Sequence, residues 1–377
     1  MKKLTASILV FISVCRPLYV NAAQHENITD LGLKSKSAIL MEASTGDILY
    51  EQNSDEKLPP ASITKIMTAY LACKYGKFDD TLTASHNAIY GIGQGSSIIG
   101  IQEGEQISFL DGLYGIMMES ANEVCMMVAE HIDGTVEKFV ERMNKQAQDW
   151  GCKDTHFNNP HGFHDVNHYT TPYDMSLIAY NAIKDENFSK IWGTVDHTIP
   201  ATNKNPQRFL HNKDKMLKPT SDYYYQYAIG GKTGFHDDAK NTLVTCAEKD
   251  GVKLISVVMK ANGYNQAYTD SKTLLDYGFS VYKDNKVYTG GTYTDKIPVY
   301  QTYLSEDYNV GELNVTVAGD VSAKLPSFVS AKDVKTKAVI NYSKDNNDKK
   351  IYAPIKEGDK IGTMEFTYKD KTIATAD

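Results

Sequence analysis

The chain has 377 residues, and the usual length of a domain, about 100–200 residues, predicts two or three domains. Hydrophobic residues make up 41% and charged residues 23%, which excludes a disordered or collagen-like chain. The formal net charge is −7, so the composition gives no indication of nucleic-acid binding.

Residues 1–23 have the features of an export signal. Two lysines precede an apolar run that ends at Arg16 and Pro17, and this run is shorter than the roughly 20 residues needed to span a bilayer. Small residues follow, so we predict cleavage after Ala22 or Ala23. A buried N-terminal helix is the alternative, but both flanks of the run fit export. We therefore expect the protein outside the cell or on the cell-wall or periplasmic side of the cytoplasmic membrane.

The region 24–280 alternates helical and extended patterns. An apolar run from 109 to 132 is hydrophobic nearly all round, which is typical of a helix buried inside a domain. Further predicted helices cover 62–75, 136–149, 172–184 and 270–278, and predicted strands cover 38–41, 47–50, 227–231 and 241–259, the last with a turn at 248–251. These elements predict an α/β or α+β domain with helices against an antiparallel sheet.

From about residue 281 the pattern changes to short alternating stretches between Gly, Asp and Asn turns. We predict a small all-β domain over 281–377, joined to the first near 279–284. Four cysteines remain after signal cleavage, and the sequence neither chooses among their three possible pairings nor excludes free thiols. They are Cys73, Cys125, Cys152 and Cys246.

The first chemical motif is S-x-x-K at Ser62 and Lys65, at the start of the first long predicted helix. Residues i and i+3 share a helix face, so the lysine ammonium can reach the serine hydroxyl. A serine becomes a good nucleophile when a base removes its proton, and a lysine serves as that base when its pKa is lowered. Ser54 and Lys57 have the same spacing in a polar stretch, where a solvated turn is expected.

A second and a third motif follow. Ser120 and Asn122 interrupt the apolar run at 109–132. They are interpreted either as a proton relay and a substrate-binding amide, or as a buried polar patch whose hydrogen bonds are satisfied. Lys232, Thr233 and Gly234 follow two glycines on a predicted strand. They offer a cation and a hydroxyl to a carboxylate, or form an ordinary strand end with a turn glycine.

The three motifs S-x-x-K, S-x-N and K-T-G in this order are typical of penicillin-recognising serine enzymes. At these residues the chain resembles the D-alanyl-D-alanine carboxypeptidases, which are low-molecular-mass penicillin-binding proteins. The resemblance implies a β-lactamase-like serine transpeptidase domain of α/β (α+β) class over 24–280 and a β-sandwich-like C-terminal domain over 281–377. The segments that carry it are 60–69, 118–122, 159–162, 231–235, 254–259 and 354–358.

The resemblance also implies a role for each motif residue in removing the last D-Ala from a peptidoglycan stem peptide. It makes Ser62 the nucleophile, Lys65 the base and Ser120 the proton relay to the leaving amine. Asn122 then binds the substrate amide. The remaining residues bind substrate: Lys232 and Thr233 hold the terminal carboxylate, next to Gly234, and the backbone N–H groups of Ser62 and Phe235 form the oxyanion hole. β-Lactams are the expected inhibitors, acylating the same serine.

The sequence departs from the family at two points. After signal cleavage its arginines are Arg142 and Arg208, and none follows Lys232, where some members use an arginine to bind the carboxylate. The last residues have the pattern of a strand and a turn, so no C-terminal membrane anchor is expected.

Neither a cofactor nor a metal is expected. His161, His164 and His168 lie in an irregular segment without the H-E-x-x-H arrangement of zinc peptidases. Two alternative functions stay open, a serine β-lactamase and a catalytically silent penicillin-binding wall protein. Class A β-lactamases use a loop glutamate, and no glutamate lies between 149 and 175. Intact Ser62 and Lys65 argue against a silent protein.

Overall fold

A computed structural model describes residues 30–342 and 350–377. The predicted signal peptide and its cleavage site lie outside the described residues. The strands are β1 Ser37–Glu42, β2 Ile48–Gln52, β3 Thr81–Thr83, β4 Gln106–Ser108, β5 Asp196–Ile199, β6 Arg208–His211, β7 Ala228–His236, β8 Lys240–Lys249, β9 Val252–Ala261, β10 Tyr282–Tyr288, β11 Gly291–Tyr303, β12 Glu306–Val317, β13 Val321–Pro326, β14 Lys335–Ile340, β15 Ile351–Tyr352, β16 Gly362–Tyr368 and β17 Lys371–Ala376.

The helices are α1 Lys65–Tyr75, α2 His86–Tyr90, α3 Phe109–Tyr114, α4 Asn122–Asp133, α5 Val136–Asp149, α6 Pro172–Ala182, α7 Glu186–Trp192 and α8 Tyr264–Val281. Three 3₁₀ turns, Ala61–Thr64, Lys215–Leu217 and Ala331–Asp333, and one π-helical turn, Gly115–Glu119, complete the described elements. Within the part of the chain that the structure describes, no helix is both long and apolar enough to span a bilayer.

The first region is built on a five-stranded antiparallel sheet in the order β2-β1-β9-β8-β7. Successive side chains of a strand point to opposite faces of the sheet, and those of the central strand β9 are apolar on both faces. Leu254 and Val258 face a core shared with α8, while Ile255 and Val257 face a larger core shared with the other helices. The sheet therefore lies between two helical layers, which confirms the predicted α/β (α+β) class.

The single helix predicted over 109–132 is wrong. It is divided into α3, the π-helical turn and α4, with Ser120 in the left-handed region at φ 64° and Ala121 extended. The amide N–H of Ala121 donates to the Gly115 carbonyl at 3.1 Å, and that of Asn122 donates to the Ser97 carbonyl at 2.8 Å. The apolar pattern continues through this break because both halves are buried. The break places Ser120 outside the regular helix.

Other predicted elements differ at their ends. The predicted helices at 136–149 and 172–184 correspond to α5 and α6, whereas α8 begins at Tyr264 and not at 270. The predicted strand at 227–231 extends to His236, so the K-T-G residues lie within β7 and not beyond its end. The four cysteines after the signal are free and buried.

The C-terminal region has a core of its own. The strands after α8 form three small sheets, β10-β13, β12-β11-β15 and β14-β16-β17. Phe366, Leu325 and Val287 lie in the apolar cluster between two of these sheets. An ion pair between Lys369 and Asp47 connects this region to the first. The described residues of the C-terminal region form strands and one 3₁₀ turn, as the predicted all-β character requires. The domain boundary at residue 280 stays a prediction.

Candidate active site

Ser62 and Lys65 lie at the junction between the 3₁₀ turn Ala61–Thr64 and helix α1. Lys65 is fully buried, and its Nζ lies 2.9 Å from Ser62 Oγ and 2.5 Å from the carbonyl oxygen of His161. Ser62 is half-buried, so it is partly accessible to solvent as well as in contact with the lysine. The predicted contact between these two side chains is present in the structure.

The backbone around Ser62 is closely packed. Ala61 has φ 51°, an unfavourable left-handed conformation for a residue with a side chain. A Cβ at Gly162 would lie 1.9 Å from the Ala61 carbonyl oxygen, and one at Gly234 would lie 2.8 Å from the Ser62 amide nitrogen. Two segments therefore contact the backbone at positions where only glycine fits: the loop containing Gly162 at Ala61, and strand β7 at Ser62.

Burial determines the charge of Lys65. Desolvation, with a smaller contribution from the positive charge of Lys213, lowers the pKa of Lys65 to about 8, although Cys125 and Glu123 oppose the shift. About a tenth of Lys65 is therefore a neutral amine at pH 7, and the neutral fraction rises with pH. A neutral amine 2.9 Å from a serine hydroxyl can accept its proton.

A second buried pair joins Ser120 and Lys232. Lys232 Nζ donates to Ser120 Oγ at 3.1 Å and to the Thr233 carbonyl at 2.8 Å. Both side chains are almost fully buried, and desolvation followed by repulsion from Lys65 holds the pKa of Lys232 well below its usual range. The left-handed conformation of Ser120 accompanies this contact, so the break between α3 and α4 positions a second hydroxyl beside a second lysine.

Strand β7 forms an edge of the central sheet. Lys232 and Gly234 are buried on it and Thr233 is half-buried, while the Phe235 side chain is 62% exposed. An exposed sheet edge can bind an extended peptide through backbone hydrogen bonds. The proximity of Gly234 to Ser62 places this edge directly beside the serine.

Asn122 is the first residue of α4. Its Nδ2 donates to Ser96 Oγ at 2.9 Å, whereas its Oδ1 is buried without a hydrogen-bond partner among the described residues. A buried acceptor without a partner is costly unless a ligand satisfies it. The geometry leaves this oxygen able to accept from a substrate amide.

Two groups near the site carry no motif in the sequence. The His161 carbonyl contacts Lys65, and a backbone carbonyl leaves no sequence signal. Asp214 is buried, its Oδ2 has no partner within the described chain, and a Cβ at Gly231 would lie 1.7 Å from that oxygen. Burial raises the pKa of Asp214 to about 6, against the lowering effects of the Met216 N–H and Lys232. The raised pKa of Asp214 depends on its burial by distant segments, which the sequence does not indicate.

Two of the three histidines in the loop at 161–168 are engaged in the packing. The amide N–H of Phe163 donates to His161 Nδ1 at 3.1 Å. The amide N–H of Asn158 donates to His168 Nδ1 at 3.0 Å, and His168 Nε2 lies 2.8 Å from Thr64 Oγ1. Burial lowers the pKa of His168 to about 3, so its ring is neutral.

Comparison with known proteins identifies similar chains. A family model described as D-alanyl-D-alanine carboxypeptidase matches residues 21–263. The D-alanyl-D-alanine carboxypeptidase DacF of Bacillus subtilis is 31% identical over 382 residues, covering 99% of this chain and 92% of its own. The corresponding DacA of Escherichia coli K12 is 30% identical, over 90% of this chain and 81% of its own.

Solved structures extend the similarity to the fold. Penicillin binding protein 5 from Haemophilus influenzae matches with a TM-score of 0.65 and 30% identity, over 93% of this chain and 97% of that one. The D-alanyl-D-alanine carboxypeptidase DacD from Francisella tularensis matches with a TM-score of 0.64 and 25% identity, over 95% and 97% of the two chains.

Proposed function

This chain belongs to the D-alanyl-D-alanine carboxypeptidase family of low-molecular-mass penicillin-binding proteins, and on that premise we propose that Ser62 is its nucleophile and Lys65 its base. The protein is a serine-type carboxypeptidase that removes the terminal D-alanine from D-Ala-D-Ala peptides, and β-lactams are the inhibitors of this family. The observation that carries the proposal is the buried Lys65 Nζ 2.9 Å from Ser62 Oγ, with the pKa of this lysine lowered to about 8.

The acylation step begins when neutral Lys65 takes the proton of Ser62 Oγ. The oxygen attacks the carbonyl carbon of the penultimate D-Ala and forms a C–O bond. Negative charge develops on the carbonyl oxygen, which the backbone N–H groups of Ser62 and Phe235 stabilise. Their placement is supported by the contact of Gly234 with the Ser62 amide.

Collapse of the tetrahedral intermediate breaks the C–N bond. The leaving D-Ala amine needs a proton. Ser120 passes its hydroxyl proton to the amine and takes up the proton that Lys65 removed from Ser62, while Lys232 holds the Ser120 oxygen at 3.1 Å. Lys65 is then neutral again, takes a proton from the water that attacks the Ser62 ester, and returns it to Ser62 Oγ as the ester C–O bond breaks. A β-lactam acylates Ser62 by the same first step, but the ring-opened product stays attached to the serine.

Substrate binding uses the edge of β7. The peptide lies along this strand, with its terminal carboxylate toward Lys232 and Thr233 and one amide toward Asn122 Oδ1. Both arginines of the described chain are engaged elsewhere, Arg142 with Asp133 and Arg208 with Glu105, the latter at 2.7 Å. Lys232 therefore takes the main part in binding the carboxylate.

The substrate we propose is the peptidoglycan stem pentapeptide, met after export through the predicted signal at residues 1–23. A half-buried serine beside the sheet edge at β7 fits an extended peptide substrate. Export and a peptidoglycan substrate together place the proposed activity on the outer side of the cytoplasmic membrane. The serine β-lactamase alternative is less well supported, because no loop glutamate is available in 149–175 to activate a deacylating water.

The test is the release of free D-Ala from a pentapeptide ending in Lys-D-Ala-D-Ala or its diaminopimelate counterpart. We expect release by the native protein and by Ser54→Ala, and none by Ser62→Ala. Nitrocefin hydrolysis is measured in parallel. Absence of D-Ala release from the native protein together with rapid nitrocefin turnover would contradict the proposed function.

A further inference from the structure

A cluster of possible metal ligands lies at the surface beside the active site. His164, His236 and Asp238 place one ligand atom each within 4.8 Å of one another, and His164 Nδ1 lies 3.5 Å from Asp238 Oδ2. It is the one group of three or more His, Cys, Asp or Glu side chains with this geometry in residues 30–342 and 350–377. His164 and Asp238 are exposed and His236 is half-buried, so an ion can reach all three.

We propose that His164, His236 and Asp238 bind a divalent transition-metal ion of the zinc class. Two imidazoles and one carboxylate are a typical three-residue ligand set for Zn²⁺, which leaves a fourth position for water. Ligand atoms around a tetrahedral zinc lie about 3.3 Å apart, close to the observed His164–Asp238 separation. All three ligand atoms lie within 4.8 Å of one another, so each pair needs to approach by no more than about 1.5 Å.

The ring nitrogens and the carboxylates of the cluster suit a cation. A neutral imidazole has the free electron pair that a metal needs. The Ala239 N–H, which donates to His236 Nδ1 at 3.2 Å, gives up this long hydrogen bond when the ring binds metal. Asp237 and Asp238 supply negative charge beside the ion.

The position of the cluster distinguishes it from an ordinary surface pair. His164 follows Gly162, whose backbone contacts the Ala61 carbonyl, and His236 follows Gly234, whose backbone contacts the Ser62 amide. A bound ion therefore connects the two segments that pack on either side of the catalytic serine. The sequence predicted no metal at His161, His164 and His168; the ligands that complete this site come from β7 and the turn after it.

The test is zinc titration of the chelator-stripped full protein by calorimetry, with Mg²⁺ as the control ion because it prefers oxygen ligands. We expect saturable binding of one Zn²⁺ and no comparable Mg²⁺ binding. His164→Ala, His236→Ala and Asp238→Asn should each weaken zinc binding at least about tenfold. His211→Ala is the matched control, since His211 forms an exposed two-residue pair with Asp196, with Nδ1 2.6 Å from Oδ1.

Hydrogen–deuterium exchange of the native protein separates a bridging ion from one held by a single histidine. Zinc should slow amide exchange in both 162–165 and 235–239, because the ion connects these two segments. The thermal melting point of each metal-free variant checks that it is folded. No saturable zinc binding by the native protein, unchanged affinity in any of the three ligand variants, or slowed exchange in one segment alone overturns the proposal.

Discussion

The chain contains two S-x-x-K pairs, and their surroundings give them opposite chemistry. Lys57 is half-exposed and binds Asp154 at 2.9 Å, and this hydrogen bond is the main reason that its pKa is raised. Ser54 donates to Glu51 at 3.1 Å and not to the lysine. Lys65 is buried with no carboxylate of the described residues bonded to it, and its pKa is lowered to about 8.

The difference shows that spacing alone does not create a nucleophile. Desolvation disfavours the ammonium form of a lysine, whereas an acidic partner in water stabilises it. Of the two S-x-x-K pairs, only Ser62–Lys65 places an amine that loses its proton easily beside a hydroxyl. The Ser54–Lys57 pair is therefore a control within the same chain, only eight residues earlier in the sequence.

The largest difference between the two pairs is expected on removing each lysine. Lys65→Ala should slow acylation by a β-lactam about 10²–10⁴-fold, since the hydroxyl loses its general base. Lys57→Ala should leave the rate within about twofold, because an exposed ion pair contributes little. Stopped-flow or gel measurement of labelling by a fluorescent penicillin gives both rates. Similar losses in the two variants would contradict the assignment of the base.

Replacing Lys232 tests whether the buried lysine beside Ser120 binds substrate. Lys232→Ala should lower kcat/KM for a D-Ala-D-Ala peptide about 10–150-fold, the value of a charged hydrogen bond. Lys272→Ala, on the exposed side of α8, is the control and should change kcat/KM little. The measurement is D-Ala release at substrate concentrations below KM. A Lys232→Ala value within twofold of the native protein would exclude Lys232 from carboxylate binding.

The pH dependence of acylation distinguishes a neutral from a charged Lys65. The base must be deprotonated, so the rate should rise about tenfold for each pH unit below 8 and level off above it. Lys57→Ala should give the same profile, because that pair takes no part. The second-order rate constant for penicillin acylation, measured from pH 6 to 9, gives the curve. A rate that is flat or falls over this range would contradict Lys65 as base.

Burial also shifts the pKa of a carboxyl group, that of Asp214, and this shift makes the stability of the folded protein depend on pH. It ordinarily loses its proton near pH 3.8, whereas the folded protein holds the proton to about pH 6. Between these values the folded state binds more protons than the unfolded state, so stability falls as pH rises. Asp214→Asn does not titrate there, so its stability relative to the native protein should increase by roughly 1–3 kcal/mol from pH 4 to 7.

Urea unfolding at the two pH values measures this change in relative stability. Exposed Asp222→Asn is the control, with an expected change of no more than about 0.5 kcal/mol. A relative stability of Asp214→Asn that is the same at pH 4 and pH 7 would show that burial does not hold the Asp214 proton.

The motifs were predictable because their chemistry depends on local spacing. Ser62 and Lys65 are three residues apart at a helix start, so their contact follows from the helix repeat. The left-handed break at Ser120 was not predictable, because the apolar pattern runs on through a break that is buried on both sides. The contact of Lys232 with Ser120 and the buried state of Asp214 depend on tertiary packing between distant segments.

Short elements were also missed. The two-stranded sheets β3-β4 and β5-β6 and the seven-residue helix α7 are too short to give a periodic signal. The start of α8 was placed six residues late because Gly263, its N-cap, carries no capping side chain. The change to an all-β C-terminal region was easier to predict than these short elements, since the change from helical to alternating patterns spans many residues.

The most direct test of the account is the position of the acyl group after reaction with benzylpenicillin. Trypsin cleavage after Lys57 separates residues 37–57, which contain Ser54, from residues 58–65, which contain Ser62. Tandem mass spectrometry should find one penicilloyl group, on Ser62 alone, in the native protein and in Ser54→Ala, and none in Ser62→Ala. An adduct on the 37–57 peptide, or an adduct that persists in Ser62→Ala, would contradict the account.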